Sequence, residues 1–514
     1  MTSPPAPRRA SALLRPPVLL GLLYVILSVA WILGNPAGGA PDEDAHLLKA
    51  FAVSGGEPAG DRVPLPPTRP IRKEEAWVER TGRAVDVPPG LAPDGLQCYA
   101  GHPRQSAACQ EGITPPAGPT TRTSAVGTAQ PTTYVLPGFL ARLADNPVTA
   151  VQLGRIGGAA FSLGLIWVAI ALLWDRPVGP MSMVGLVVAV TPMAIFLGSS
   201  LTASGPEVAA GICFSAALLR VTRRQTLPSW IWVALGVSGV ILAATRTLGP
   251  LWVAIDVAVV VVAHGLRRSW NLVRAEGRRA VWSGVAVAVG VALSLAWEMV
   301  VQPQGSLDRT ALRGALRPSF LDLHRVLGEL IGVFGSLDSV MPAFAYVLWW
   351  TMLVVLALAA LWFGRGRERV VLLLLGAGAV LVTLFIAVTN LAQTGFGMQG
   401  RYVLPLMVML PLFAGEVVMR RLPDPHRRSL DRLLPAFVLV AGAVHAVGWY
   451  ANARRSAIGI DGTWFFESTS EWAPRTGWYP MLAVVALATL LAIALAVVCW
   501  RAPRPLAQRD ESLR

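Results

Sequence analysis

Pro16-Pro17-Val18-Leu19-Leu20-Gly21-Leu22-Leu23-Tyr24-Val25-Ile26-Leu27-Ser28-Val29-Ala30-Trp31-Ile32-Leu33-Gly34 runs 19 residues without a charge. As a helix rising about 1.5 Å per residue, such a run nearly matches the roughly 30 Å hydrocarbon core of a bilayer. Comparable apolar runs recur at 149–174, 178–198, 205–221, 229–245, 248–265, 281–301, 342–363, 369–391, 402–420, 433–450 and 480–500. Lipid offers no partner to backbone N–H and C=O groups, so each run must satisfy its own as a helix. The expected fold is an all-α polytopic membrane protein of about twelve transmembrane helices. A basic start (Arg8, Arg9, Arg15) and the small residues Ala37-Gly38-Gly39-Ala40 also fit a signal peptide. The first run is long for one, and the other spans alternate cleanly if it stays.

Composition agrees. Hydrophobic residues make up 54% and charged residues 14% of the 514, with mean hydropathy +0.54; average soluble chains carry about 25% charged residues. The net charge of +14 does not suggest nucleic acid, because the arginines cluster in alternate short loops. Examples are Arg220, Arg223 and Arg224; Arg267, Arg268, Arg274, Arg278 and Arg279; and Arg420, Arg421, Arg427 and Arg428. The positive-inside rule places those loops, and both termini, in the cytoplasm of a multi-pass plasma-membrane protein. Arginine in place of lysine, with abundant Ala, Gly and Pro, suggests a bacterial source. The membrane domain then spans 16–500, between cytoplasmic tails at 1–15 and 501–514. It carries a large extracytoplasmic loop at 35–128 and smaller outer loops at 302–341 and 451–479. The prolines of the first loop argue against long helices there, with a short one expected at 72–80 and an interfacial helix at 130–143. Cys98 and Cys109 share that loop and either pair or remain thiols; Cys213 and Cys499 lie in apolar runs.

Just past the first run stands Pro41-Asp42-Glu43-Asp44-Ala45-His46. Acidic residues and Pro suit a helix start, but three adjoining acids exceed what capping needs. Like charges raise one another's pKa, which suits a general base (Asp42 or Glu43) or a carboxylate pair holding a divalent cation. The spacing predicts a helix over 41–53, with Asp42 and His46 as i, i+4 neighbours and Lys49 a turn on, placed to meet an anion. A second candidate is Met398-Gln399-Gly400-Arg401-Tyr402-Val403-Leu404-Pro405. Arg401 opens a span from the outside, against the charge bias, and a guanidinium grips phosphate bidentately. Snorkelling beside a belt tyrosine is the plainer account of the pair.

These motifs carry a resemblance. Pro-Asp-Glu-Asp-Ala-His, then Gly335-Ser336-Leu337-Asp338-Ser339-Val340-Met341-Pro342, then Gln399-Gly400-Arg401-Tyr402-Val403-Leu404-Pro405 resemble, in order and spacing over about 16–450, the bacterial membrane family called domain of unknown function 2142. That family is similar in layout to the C-type glycosyltransferases, which use polyprenyl-phosphate sugars and carry an acidic motif in the first outer loop. The resemblance implies a catalytic carboxylate at Asp42 or Glu43. It also implies a polyprenyl-phosphate sugar donor and a cell-envelope glycan, lipid or protein acceptor. Asp44 stands where the family often has His. Candidate substrate-binding residues are His46, Lys49, Arg246, Asp338, Gln399, Arg401 and Tyr402.

Arg246 lies near the outer face between two close spans, and Glu207 at a span start. Glu298 and Asp256 lie within apolar runs, where ionisable groups are costly and usually face the bundle interior. Trp464, Phe465, Phe466, Trp472, Trp478 and Tyr479 crowd the last outer loop, as an aromatic belt or a stacking surface. A transporter or lipid flippase is the rival reading, weakened by the absence of an internal repeat. A non-catalytic cell-envelope assembly partner is the third.

Overall fold

The computed structural model describes residues 15–63, 72–114, 116–223, 227–302, 308–422 and 432–501. The expected tails therefore fall outside the described residues except for Arg15 and Arg501, as do Arg224, Arg427 and Arg428.

Each expected span holds helix, but the bundle is less regular than twelve equal crossings. Among the described residues, seven helices are long and apolar enough to cross: Pro16–Gly34, Pro147–Leu173, Arg278–Val301, Ala343–Phe363, Gly366–Thr394, Leu433–Ile458 and Trp478–Arg501. Two bent pairs raise the number to nine. Pro180–Ala189 meets Pro192–Gly198 at 73°, and Gly249–His264 meets Leu266–Glu276 at 103°. The difference from twelve has a physical cause. Pro192 cannot donate to a continuing helix, so 178–198 breaks. Ser229–Ala243 has 15 residues, about 22 Å of helix, short of the roughly 30 Å core. Leu404–Met407 and Met409–Arg421 are separated at Val408. Ser204–Val221 is buried along nearly its whole length and forms the centre of the bundle.

The first loop is more structured than its prolines suggest. It holds the helices Glu43–Ser54 and Lys73–Thr81 and a three-stranded antiparallel sheet of Asp61–Arg62, Arg83–Val87 and Thr120–Ser124. Cys98 and Cys109 are disulfide-bonded. Leu47, Phe51, Val85 and Val87 pack with Tyr134, Val151 and Leu201 in a second apolar core, which seats the loop on the bundle. The expected interfacial segment forms the helix Val135–Ala141, crossing Glu43–Ser54 so closely that a Cβ on Gly138 would lie 2.1 Å from the Ala50 carbonyl oxygen.

In the last loop Phe466 and Trp472 each pack edge to face on Trp478, while Trp464, Phe465 and Tyr479 stay exposed. Asp256 accepts a hydrogen bond from the Ser215 hydroxyl at 2.6 Å inside the bundle.

Candidate functional site

Asp42 caps the helix Glu43–Ser54 from a left-handed backbone conformation, φ 59°. That turn sends the three consecutive acids in different directions. Glu43 points into the bundle and is fully buried. Its carboxylate takes two hydrogen bonds from Arg155, at 2.8 and 2.6 Å, and one from the Leu201 N–H at 2.9 Å. Arg155 also donates to the carbonyls of Ile32, Asn35 and Pro36, so the pair locks the end of the first helix to the acidic motif. Both carboxylate oxygens of Glu43 are thus engaged in structure. Asp44 turns back on its own helix and accepts from the Ala45 N–H at 2.8 Å. The carboxylates of Glu43 and Asp44 thus face different partners, and no group of three or more His, Cys, Asp or Glu side chains that could hold a metal ion occurs among the described residues.

Of the three acids Asp42 is the most exposed, its side chain 50% exposed. Arg401, 3% exposed, reaches it across 359 residues of sequence with an Nη2 to Oδ2 distance of 2.5 Å, and its Nη1 donates to the Pro41 carbonyl at 3.1 Å. Partial enclosure raises the Asp42 pKa, but the Arg401 guanidinium, with His46 and Arg246 nearby, outweighs this and holds the carboxyl below its usual value. Buried Arg401 Nε has no hydrogen-bond partner among the described residues. A buried donor left unsatisfied is costly, and here it lies on the guanidinium that contacts Asp42.

Arg246 completes the cluster. Its guanidinium carbon sits 4.7 Å from the centre of the Tyr402 ring, over whose other neighbour, Arg401, the distance is 5.5 Å. Arg246 also donates to the Ser204 hydroxyl at 2.6 Å and lies 3.8 Å from Glu207. Thr247, next in sequence, donates to Glu298 at 3.0 Å, and Gln130 also contacts that carboxylate. His46 is buried; its Nδ1 meets the Tyr134 hydroxyl at 2.7 Å, and burial pushes its pKa down to about 3. It is a neutral imidazole beside Asp42.

The other expected residues sit elsewhere. Lys49 is buried against the sheet, donating to the carbonyls of Pro58 and Gly127 and lying 5.5 Å from the Trp297 ring centre. Burial, reinforced by Arg83, lowers its pKa to about 7. It does not join Arg401. Asp338 accepts from Arg455 at 2.5 Å, and Arg455 also donates to the Tyr99 and Gln105 carbonyls. This pins the hairpin of Val333–Phe334 and Ser339–Val340 to the first loop. Gly335, φ 63°, makes the turn, and a Cβ there would lie 2.5 Å from Asp338 Oδ1. Gln399 is half-buried, with its carboxamide oxygen unpartnered among the described residues.

Sequence reasoning missed Arg155, Tyr134 and Glu329. Buried Glu329 accepts the Gly400 N–H at 2.6 Å and pairs with Arg325, fixing the turn that aims Arg401. The signal for Arg155 was available, since a lone arginine inside an apolar run needs a partner.

The family profile described as "Predicted membrane protein (DUF2142)" matches residues 25–410, or 386 of the 514, which includes both Asp42 and Arg401. The chain belongs to that family. In this DUF2142 member the acidic and arginine motifs lie near the two ends of the matched region, and the fold brings them into contact. No curated protein matches the sequence. Two solved structures of ArnT from Cupriavidus metallidurans are similar to the chain: the apo state at 14% identity, and the state bound to undecaprenyl phosphate at 15%. Each match covers 94% of this chain and 76% of that one, with a TM-score of 0.43.

Proposed function

We propose that this protein is a membrane glycosyltransferase. It moves a sugar from a polyprenyl-phosphate donor to a cell-envelope acceptor at the outer face of the bacterial plasma membrane. The observation that carries the reading is the contact between half-exposed Asp42 and buried Arg401, with Arg246 close by. Two guanidiniums and one carboxylate at the end of a lipid-embedded bundle supply what a single displacement from a lipid phosphate requires. The acceptor hydroxyl oxygen attacks the anomeric carbon and the bond from that carbon to the phosphate oxygen breaks. The hydroxyl proton passes to Asp42, and polyprenyl phosphate leaves against Arg401 and Arg246, with inversion at the anomeric centre.

Arg401 also times the base. In the free site its charge holds Asp42 ionised but weakly basic. A donor phosphate accepting from Arg401, including the unpartnered Nε–H, shares that charge, so the proton affinity of Asp42 rises as the donor binds. Arg401→Gln is therefore expected to move the acidic limb of the kcat/KM profile to higher pH. Without the guanidinium Asp42 protonates earlier as pH falls, and donor KM rises as well. An unshifted limb would separate Arg401 from Asp42. Glu329→Ala is expected to reduce kcat/KM on the order of 10²-fold by loosening the Gly400 turn, the cost of roughly 1 Å of misplacement. The circular dichroism spectrum should not change.

The deciding experiment uses purified protein in nanodiscs with a labelled polyprenyl-phosphate sugar and candidate acceptors. Transfer by the wild type and its loss in Asp42→Asn support the reading. Movement of solute across sealed vesicles without sugar transfer would replace it with a transporter.

A further inference from the structure

At the opposite end of the bundle lies a charged cavity that the transfer reaction does not use. Leu173, which ends the helix carrying Arg155, stands 18 residues beyond that arginine, about 27 Å along the axis. The cavity there has a volume of about 580 Å³, within the range of about 300–1,000 Å³ typical of small-molecule sites. Its wall contains five arginines, Arg223, Arg268, Arg365, Arg420 and Arg421, and three carboxylates, Asp175, Glu368 and Glu416, which leaves two positive charges in excess.

The excess is localised. Glu416 is buried and takes hydrogen bonds from Arg223 at 2.6 and 2.9 Å and from Arg420 at 2.6 Å, while Arg421 pairs with Glu368 at 2.8 Å. Those carboxylates are thereby occupied. The guanidiniums of Arg268 and Arg365 stand exposed at the rim with no ion pair among the described residues, the backbone N–H of Arg365 donating to Glu368 at 2.8 Å. Topology alone would require only arginines reaching outward to water. Here an ion-pair network around buried Glu416 instead holds the guanidiniums of Arg223 and Arg420 along the cavity wall. Leu219, Val260, Phe413 and Val417 make up much of the rest of that wall. The helix Leu266–Glu276 leaves the cavity at 103° to the preceding one, with Leu266 and Trp270 exposed as in a helix lying at headgroup level.

We propose that this cavity binds a phosphate-headed amphiphile of the adjacent leaflet. Arg268 and Arg365 take the phosphate, and the apolar wall takes the first carbons of the chain. The site is separate from the one at Asp42 and does not depend on the transfer reaction. Its test is titration of the full-length detergent-purified chain with phosphatidic acid, read by native mass spectrometry, with inorganic phosphate as a competitor. The expected result is a bound lipid that millimolar phosphate does not displace. Arg268→Gln/Arg365→Gln should weaken binding at least tenfold with no change in melting temperature. Arg267→Gln, an exposed charge on the same helix outside the cavity, should bind as wild type. Equal weakening by Arg267→Gln would reduce the effect to general surface charge and overturn the proposal. Undiminished binding by the double variant would do the same. Full displacement by phosphate would overturn the amphiphile, leaving a simple anion site.

Discussion

Asp42→Asn is expected to lower sugar transfer by about 10²–10⁴-fold, the range that a positioned general base contributes. The substitution keeps the size of the side chain and one oxygen to accept from Arg401, so the site should hold its shape. Only the ability to take a proton is lost. Donor KM should change little, because Arg401 and Arg246 remain, and the deficit should appear in kcat. Melting temperature in detergent should fall less than on removal of a fully buried carboxylate, since the Asp42 side chain is 50% exposed and the Asn oxygen can still accept from buried Arg401. Transfer at wild-type rate by Asp42→Asn would remove the base from this position.

Glu43→Ala is expected to behave in the opposite way. Glu43 and Arg155 have side chains 0% and 1% exposed. Removing one member of such a pair leaves a buried charge uncompensated, which costs about 3–5 kcal/mol. The measurement is the unfolding midpoint of the purified chain, together with the yield of folded protein. Glu43→Gln should lose less, because its amide oxygen can still accept from Arg155 or from the Leu201 N–H. Wild-type stability of Glu43→Ala would show that the pair does not hold the motif. The two neighbouring acids are thereby separated by experiment: Asp42 governs rate, Glu43 governs folding.

That separation was not legible in the sequence. Two acids side by side at a helix start look equivalent, and successive residues on a helix point about 100° apart. Which of them faces the site depends on the left-handed turn at Asp42 and on Arg155 waiting inside the bundle, 112 residues away. The helical membrane class, by contrast, followed from hydropathy alone, because lipid leaves the backbone almost no other solution. The meeting of Asp42 with Arg401 was suggested only by two motifs of one family standing 359 residues apart. Lys49 shows where charge reasoning stops. A lysine one turn past an acidic motif reads as an anion ligand, yet the sheet beside it offers two carbonyl acceptors and an aromatic face that no local pattern reveals. Likewise hydropathy marked 178–198 and 248–265 as spans without registering the bends that follow Ala189 and His264.

The 359-residue separation of Asp42 and Arg401 also sets an order of assembly. At about 5–20 residues per second of synthesis, roughly 20–70 s pass between the two motifs. Glu43 meets Arg155 early in that interval, so the acidic helix is already seated while Asp42 still lacks its partner. The carboxylate waits in a half-built mouth until the Gly400 turn arrives and is caught by Glu329. A nascent chain truncated before residue 401 would therefore carry a docked but uncompensated Asp42, and the site becomes complete only in the last quarter of translation.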